Sequence, residues 1–304
     1  MSTEFKKWSL LLLLAGIWGG SFILMKRGMY TLDGDAIFNS NQVGALRMLI
    51  ASLVLLPFGI QAFKKIKRKK DFLLLAIVGF CGNFFPAFLF TFAETKISSG
   101  YAGMLNSCTP IFTLLISVVV FKYPLTLFQI VGILVGTVGL GGLLLSGQSA
   151  NTDLSLTHVF AIVLATFLYG ISLNTIKNTL GHINAVDISS IAFLILLVPS
   201  IGSFFYFDTL NTIQTNPFAK EGLLFISILS VFGTAIALII FNRIIALSNT
   251  LFASSVTYFI PMVAVFIGLY FKESIHYHQV IAMLVVLLGV FIANYLSSIL
   301  KKRT

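Results

Sequence analysis

Arg47 is the residue most able to bind a charged ligand. It stands about eight residues inside an apolar stretch, and a charge in such a position costs roughly 2.5–3.5 kcal/mol on insertion scales. At about 1.5 Å per residue it sits about 12 Å below the membrane surface. A guanidinium there suits a substrate carboxylate or a gate pair; the plainer alternative is an arginine that snorkels or pairs for packing. Lys26 and Glu94 close two other apolar stretches on the same expected side. With Arg47 they form a candidate outer ionic gate. As helix-ending cations, Lys26 and Lys177 also suit the negative end of a helix dipole.

Polar groups inside apolar stretches form a second set. Asn106, Ser107 and Thr109 precede Pro110, and Ser254, Ser255, Thr257 and Tyr258 precede Pro261. A proline in mid-helix frees a carbonyl one turn back and kinks the chain. In a membrane that is tolerated where protein or a water-filled cavity receives the freed group. Ser21, Asn83 and Asn174 are further candidate cavity groups, although small polar residues also serve helix packing. Trp18, Phe84, Phe85, Phe88, Tyr101 and Tyr169 lie beside these landmarks and are candidates for an aromatic pocket wall.

The elements that must hold these residues are membrane helices. Of 304 residues 58% are hydrophobic and only 10% are charged, where a soluble domain carries roughly a quarter. Such a chain cannot coat itself with charge, so it expects the lipid bilayer as a partner. Apolar stretches of spanning length fall near 8–28, 39–60, 72–93, 98–121, 125–145, 158–179, 187–207, 221–245, 250–271 and 277–298. The first follows Lys6-Lys7 and continues through Phe22 without a clear cleavage site, so it is expected to be an uncleaved helix. The expected fold is therefore an all-α integral membrane protein of ten transmembrane helices.

The net charge of +10 does not imply nucleic acid as a partner. Its largest cluster, Lys64 to Lys70, lies between two apolar stretches and reads as a cytoplasmic loop. With the N-terminus inside, that loop joins Lys6, Lys7, Lys122, Lys177, Arg243 and Lys301-Lys302-Arg303 on the inner side. Only Lys26, Arg27, Lys96, Lys220 and Lys272 fall outside. Both termini are expected in the cytoplasm of a bacterial inner (plasma) membrane. Cys81 and Cys108 lie in apolar segments, and His158, His182, His276 and His278 lie at helix ends; no metal or cofactor site is expected. No Walker loop or catalytic constellation marks an enzyme. Nothing in the sequence specifies an oligomer.

The chain also repeats itself. Trp18-Gly19-Gly20-Ser21 recurs as Tyr169-Gly170-Ile171-Ser172, 151 residues on, each with a lysine five residues after the serine. Pro110 and Pro261 are also 151 apart; Phe121-Lys122 and Phe271-Lys272, like Gln129 and Gln279, are 150 apart. Five helices is an odd number, so a second unit enters the membrane in the opposite sense. The expectation is two inverted five-helix repeats, 1–147 and 158–304, joined by a linker at 148–157 and enclosing a central cavity. Inverted repeats are a common build for secondary transporters.

The chain resembles the drug/metabolite transporter superfamily, specifically its ten-helix EamA-type members. The matching residues are Trp18-Gly19-Gly20-Ser21-Phe22, Arg47, Tyr101-Ala102, Pro110-Ile111, Pro261 and Phe271-Lys272-Glu273. The resemblance implies a cavity walled by helices 1–4 and 6–9, and export or scavenging of metabolites. One departure is Tyr123-Pro124, where an acidic residue is common; Glu273 keeps the acid in the second repeat. The expected function is secondary-active or facilitative transport of small organic metabolites by alternating access. Amino acids or related compounds are the expected substrate, export the expected direction, and a proton or cation the candidate coupling partner, carried on Glu94 or Glu273. The alternatives are a nucleotide-sugar or lipid-linked group exchanger or flippase, which would need a more basic cavity, and a membrane channel.

Overall fold

The structure is a computed structural model that describes residues 3–66, 68–148, 156–247, 252–253 and 255–293. Most of the expected linker, the break at Ser248-Asn249, Ser254 and the basic C-terminus at 301–303 lie outside the described residues.

The described residues form α1 (Thr3–Met29), α2 (Ser40–Phe63), α3 (Lys69–Gly79), α4 (Phe85–Ala93), α5 (Ser99–Asn106), α6 (Thr109–Val119), α7 (Leu127–Gln148) and α8 (Leu156–Thr179). They continue with α9 (Ala185–Tyr206), α10 (Thr209–Thr215), α11 (Ala219–Ser230), α12 (Ala237–Leu247), α13 (Val256–Tyr270) and α14 (Tyr277–Phe291). A π-helical turn, Phe80–Phe84, joins α3 to α4, and a second, Val231–Ile236, joins α11 to α12. Among the described residues eight helical stretches are long and apolar enough to cross a membrane. Ten were expected. The last two stretches, α13 and α14, have 15 residues each, and their expected extensions fall partly on residues not described. This is a multi-pass, all-helical membrane protein.

Local chemistry sets the helix starts. Asn39 and Gln42 form a reciprocal capping box at α2, Ser98 caps α5 through Tyr101 N–H, and Asn184 caps α9 through Val186 N–H. Each cap satisfies a donor that the first turn leaves orphaned. Pro110, the second residue of α6, separates α5 from α6, because its ring cannot continue a helix without losing a bond. Pro261 instead lies inside a continuous α13.

The outer surface is apolar: Leu53, Leu134, Val198 and Phe266 are more than half exposed. Water would not tolerate so much exposed hydrocarbon, and lipid does. The largest core cluster gathers Leu11, Phe22, Phe90, Tyr101, Ile162, Val256 and Val286 from α1, α4, α5, α8, α13 and α14.

The 151-residue offset reappears in the contacts. The two π turns start 151 residues apart, at Phe80 and Val231. Ser172 Oγ lies where a side chain on Gly82 would go, and Ser21 Oγ lies likewise over Gly233. Gly19 packs on Val263, and Gly170 packs on Phe112. Lys122 and Lys272 both adopt left-handed backbone, with φ 54° and 58°. Such φ values are uncommon for lysine and mark matched helix-ending turns.

Candidate functional site

Buried ionisable groups and aromatic side chains come together here, and one of the groups is a carboxylate held by several hydrogen bonds. That carboxylate is Glu273, in the turn between α13 and α14. Lys26 Nζ lies 3.1 Å from its Oε1. Ser99 N–H donates to Oε1 at 3.0 Å, Ser99 Oγ–H to Oε2 at 2.8 Å, and Gly100 N–H to Oε2 at 3.0 Å. The acid thus sits on the first turn of α5, where free N–H groups and the helix dipole favour an anion. Burial disfavours its charge, but Lys26 and the donors from Gly100 and Ser99 outweigh burial and hold the carboxyl below the usual range. Nearby, Arg27 reaches Glu221 at 2.6 Å.

The opposite ends of the helices carry their own pairs. Lys65 meets Asp187 at 2.9 Å, and His182 meets Asp71 at 3.0 Å. Lys26–Glu273, Arg27–Glu221, Lys65–Asp187 and the His182–Asp71 contact each join a residue before 148 to one after 156.

Between these ends lies the aromatic centre. Tyr169 stacks on Phe90 with ring centroids 6.1 Å apart, and the Phe22 ring also lies 5.7 Å from that of Phe90. Trp18 packs on Phe241 and donates its indole N–H to the carbonyl of Gly233 in the second π turn, at 3.1 Å. Phe84 packs on Phe88, and Phe88 lies against Gly44 and Phe207.

Arg47 enters this centre from α2. One guanidinium nitrogen touches the sulfur of Met25 at 3.4 Å, and its Nε has no partner. Tyr169 and Glu94 are the ionisable groups whose fields it feels most. Glu94 is 1% exposed, and neither carboxylate oxygen has a hydrogen-bond partner. Lys26 spends its ion pair on Glu273, so the expected contact of Lys26 with Glu94 is replaced by one with Glu273.

The other sequence candidates divide in two. Asn83 lies part-buried in the first π turn, and Tyr258 packs at the edge of the central cluster from the first turn of α13, next to Thr257. Asn106 accepts from Thr109 Oγ1 at 3.3 Å. The rest make contacts within or between helices. Ser21 bonds the Ile17 carbonyl. Asn174 donates to the carbonyls of Thr113 and Gly170 at 2.8 and 2.9 Å. Tyr101 donates to the Leu143 carbonyl at 2.6 Å, toward α7. Pro110 faces Gly132, Gly289 and Val290 of α7 and α14, and Pro261 is buried within α13. Sequence reasoning named Glu273 as a candidate proton carrier but not as a partner of Lys26, and it missed Ser99. Among the described residues no group of three or more His, Cys, Asp or Glu side chains could hold a metal ion.

Comparison with known proteins decides the family. The model of the EamA-like transporter family matches residues 6–145 and again 156–295. The chain belongs to the EamA-like transporter family. This EamA-like chain is 27% identical over 157 residues to the uncharacterized transporter YdfC of Bacillus subtilis, covering 51% of this chain and 48% of YdfC. The chain thus spans about half the length of that relative. It is 22% identical over 222 residues to the protein PagO of Salmonella typhimurium, covering 72% and 70% of the two chains. One crystal structure superposes with a TM-score of 0.60 at 14% identity, covering 97% of this EamA-like chain and 98% of the other. That likeness concerns the fold.

Proposed function

We propose that this EamA-like protein is a secondary-active or facilitative carrier of small organic metabolites, with amino acids or related compounds as its substrate and export as its direction. The observation that carries the reading is the distribution of ion pairs and one histidine–carboxylate contact between the two halves. Lys26–Glu273 and Arg27–Glu221 tie the two halves at one end, while Lys65–Asp187 and His182–Asp71 tie them at the other. Opening one end while the other stays closed is alternating access. The site between contains an arginine with unused donor capacity, suited to a carboxylate, and aromatic walls suited to an apolar body.

The mechanism needs two halves that can exchange conformations. The offset of 151 in the π turns and glycine contacts, and the two successive family matches, support two five-helix units. An odd number of spans per unit inserts them in opposite senses, giving ten spans with both termini inside a bacterial inner membrane. On this topology the Glu273 end faces outward and the Lys65 end inward.

One observation favours a second reading, a lipid-linked cargo. An apolar crevice of about 580 Å³ opens between α1, α11 and α13, lined by Gly16, Gly20, Phe232, Gly233, Phe266 and Tyr270. It has the volume of a ligand pocket but almost no polar lining, as an acyl chain would require.

The test is flux of a radiolabelled amino-acid panel into proteoliposomes of the purified protein. Saturable, stereoselective uptake by the wild type, weakened at least tenfold in Arg47→Gln, is the expected result. Uptake that never saturates, or none above empty vesicles, would contradict the carrier reading.

A further inference from the structure

We propose that Glu94 is a proton-binding site, and that its proton couples to the movement of cargo past the outward end. This rests on the carrier reading for the use of the proton, and on geometry alone for its binding.

Glu94 is the first residue beyond the span Lys69–Ala93. It is 1% exposed and neither carboxylate oxygen is hydrogen-bonded. An ionised carboxylate in that state would forfeit its hydration for nothing, a cost of several kcal/mol that proteins avoid by neutralising the group. In this conformation Glu94 therefore holds a proton.

The charged groups around it explain why the proton can leave. Lys26 on α1, Glu273 in the α13–α14 turn and Arg47 on α2 all act on it. From α8, which packs on α4, come His158, stacked on Phe92, and Tyr169, stacked on Phe90. Lys96 in the following loop is exposed. Burial pushes the Glu94 carboxyl well above the usual range; Glu273 adds to that rise, while Lys26 and Arg47 oppose it. Two carboxylates thus compete for one ammonium. In this conformation Glu273 has Lys26 and three further hydrogen bonds, and Glu94 has none. Lys26 keeps 32% of its side chain exposed, which leaves it free to turn. When the Glu273 turn lifts off α5, Lys26 becomes available to Glu94, which then ionises. The proton passes as H⁺ between the carboxyl and water at the open end, and no other bond changes.

Two measurements on full-length protein in nanodiscs read the site without any cargo. The first is infrared absorption of a protonated carboxyl. The wild type shows such a band at neutral pH; Glu94→Gln lacks it and Glu273→Gln keeps it. The second is melting temperature against pH. A group whose folded pKa is raised stabilises below its unfolded value and loses that contribution as pH rises. The wild type therefore falls relative to Glu94→Gln as pH rises above the ordinary carboxylate range, with Glu94→Gln equal or higher at the alkaline end. A band that survives Glu94→Gln, or parallel melting curves, overturns the proposal; if that variant fails to fold, Glu94→Asp should shift the wild-type band, and an unshifted or absent band overturns it. For coupling, the labelled amino-acid panel is supplied to proteoliposomes under an imposed pH gradient. Gradient-driven accumulation by the wild type, reduced in Glu94→Gln to gradient-independent equilibration, is expected. Wild-type flux indifferent to the gradient refutes coupling while leaving transport intact. Absence of all flux, with the band present, refutes the carrier reading and with it the coupling, but leaves the proton site standing.

Discussion

The same turn occurs twice in this molecule and closes by different chemistry each time. In the second half Lys272 takes left-handed backbone, and the next residue, Glu273, binds Lys26. In the first half Lys122 takes the same backbone, and the next residue is Tyr123. The counterpart of Lys26 is Lys177, and Lys177 Nζ lies over the Tyr123 ring, 5.6 Å from its centroid. An ion pair with three further hydrogen bonds at one end is thus replaced at the other by a cation–π contact and one exposed hydrogen bond, from Tyr123 Oη–H to Asn178 Oδ1 at 3.0 Å. Glu273 is 8% exposed at its side chain, whereas Tyr123 is 46% exposed. One backbone scheme therefore yields a buried latch and a wet one, and the two ends should respond differently to mutation and to pH.

The largest effect is expected from the buried latch. Glu273→Ala leaves Lys26 and the N–H groups of Ser99 and Gly100 without their acceptor and should cost about 3 kcal/mol, read as a lower melting temperature. A loss under about 0.5 kcal/mol would erase the contrast between the ends. Next come the close helix contacts. A Cβ on Gly19 would lie 2.6 Å from Val263 Cβ and 2.9 Å from the Ile260 carbonyl, so Gly19→Ala should cost about 1–3 kcal/mol through overpacking. Gly170→Ala, which meets the Ile116 methyl end at 2.8 Å and backbone only at 3.1 Å, should cost less. Tyr123→Ala, which removes an exposed cation–π contact and an exposed hydrogen bond to Asn178, should cost only about 1 kcal/mol. The smallest change is expected from Lys65→Ala, whose exposed pair with Asp187 contributes at most about 1 kcal/mol.

pH sharpens the same contrast. The Glu273 carboxyl is held below the usual range, so its contribution is fully present above its unfolded value and is lost as pH falls toward its folded value. Glu273→Gln should therefore melt below the wild type at neutral pH and converge with it in acid, while Tyr123→Ala keeps a constant offset across acid and neutral pH. Parallel curves for Glu273→Gln and wild type would count against a charged latch.

Much of the fold could be read in the sequence because lipid imposes simple rules. Residue counts between Asp33-Gly34-Asp35 and the lysine run bound α2 closely, and the matched landmarks at 150–151 gave the offset that the π turns and glycine contacts repeat. The π turns themselves were invisible, since Phe80–Phe84 and Val231–Ile236 carry no composition unlike an ordinary apolar helix. The site was half legible. Arg47 and Glu94 stand out because a charge among apolar residues is expensive. Asn174, Tyr101 and Pro110 show why the rest was not: a polar group in a span signals only that it needs a partner. Asn174 finds it in the carbonyls of Thr113 and Gly170, and Tyr101 in that of Leu143. The pairing of Lys26 with Glu273, 247 residues apart, depends on tertiary packing that no local pattern records.

The most direct test of opposed halves uses the two matched turns. Lys122→Cys and Lys272→Cys, each in a chain with Cys81 and Cys108 replaced by serine, are exposed to a membrane-impermeant maleimide on intact cells. The account predicts that Cys at 272 labels from outside and that Cys at 122 labels only after permeabilisation. Labelling of both positions from the same side would contradict it.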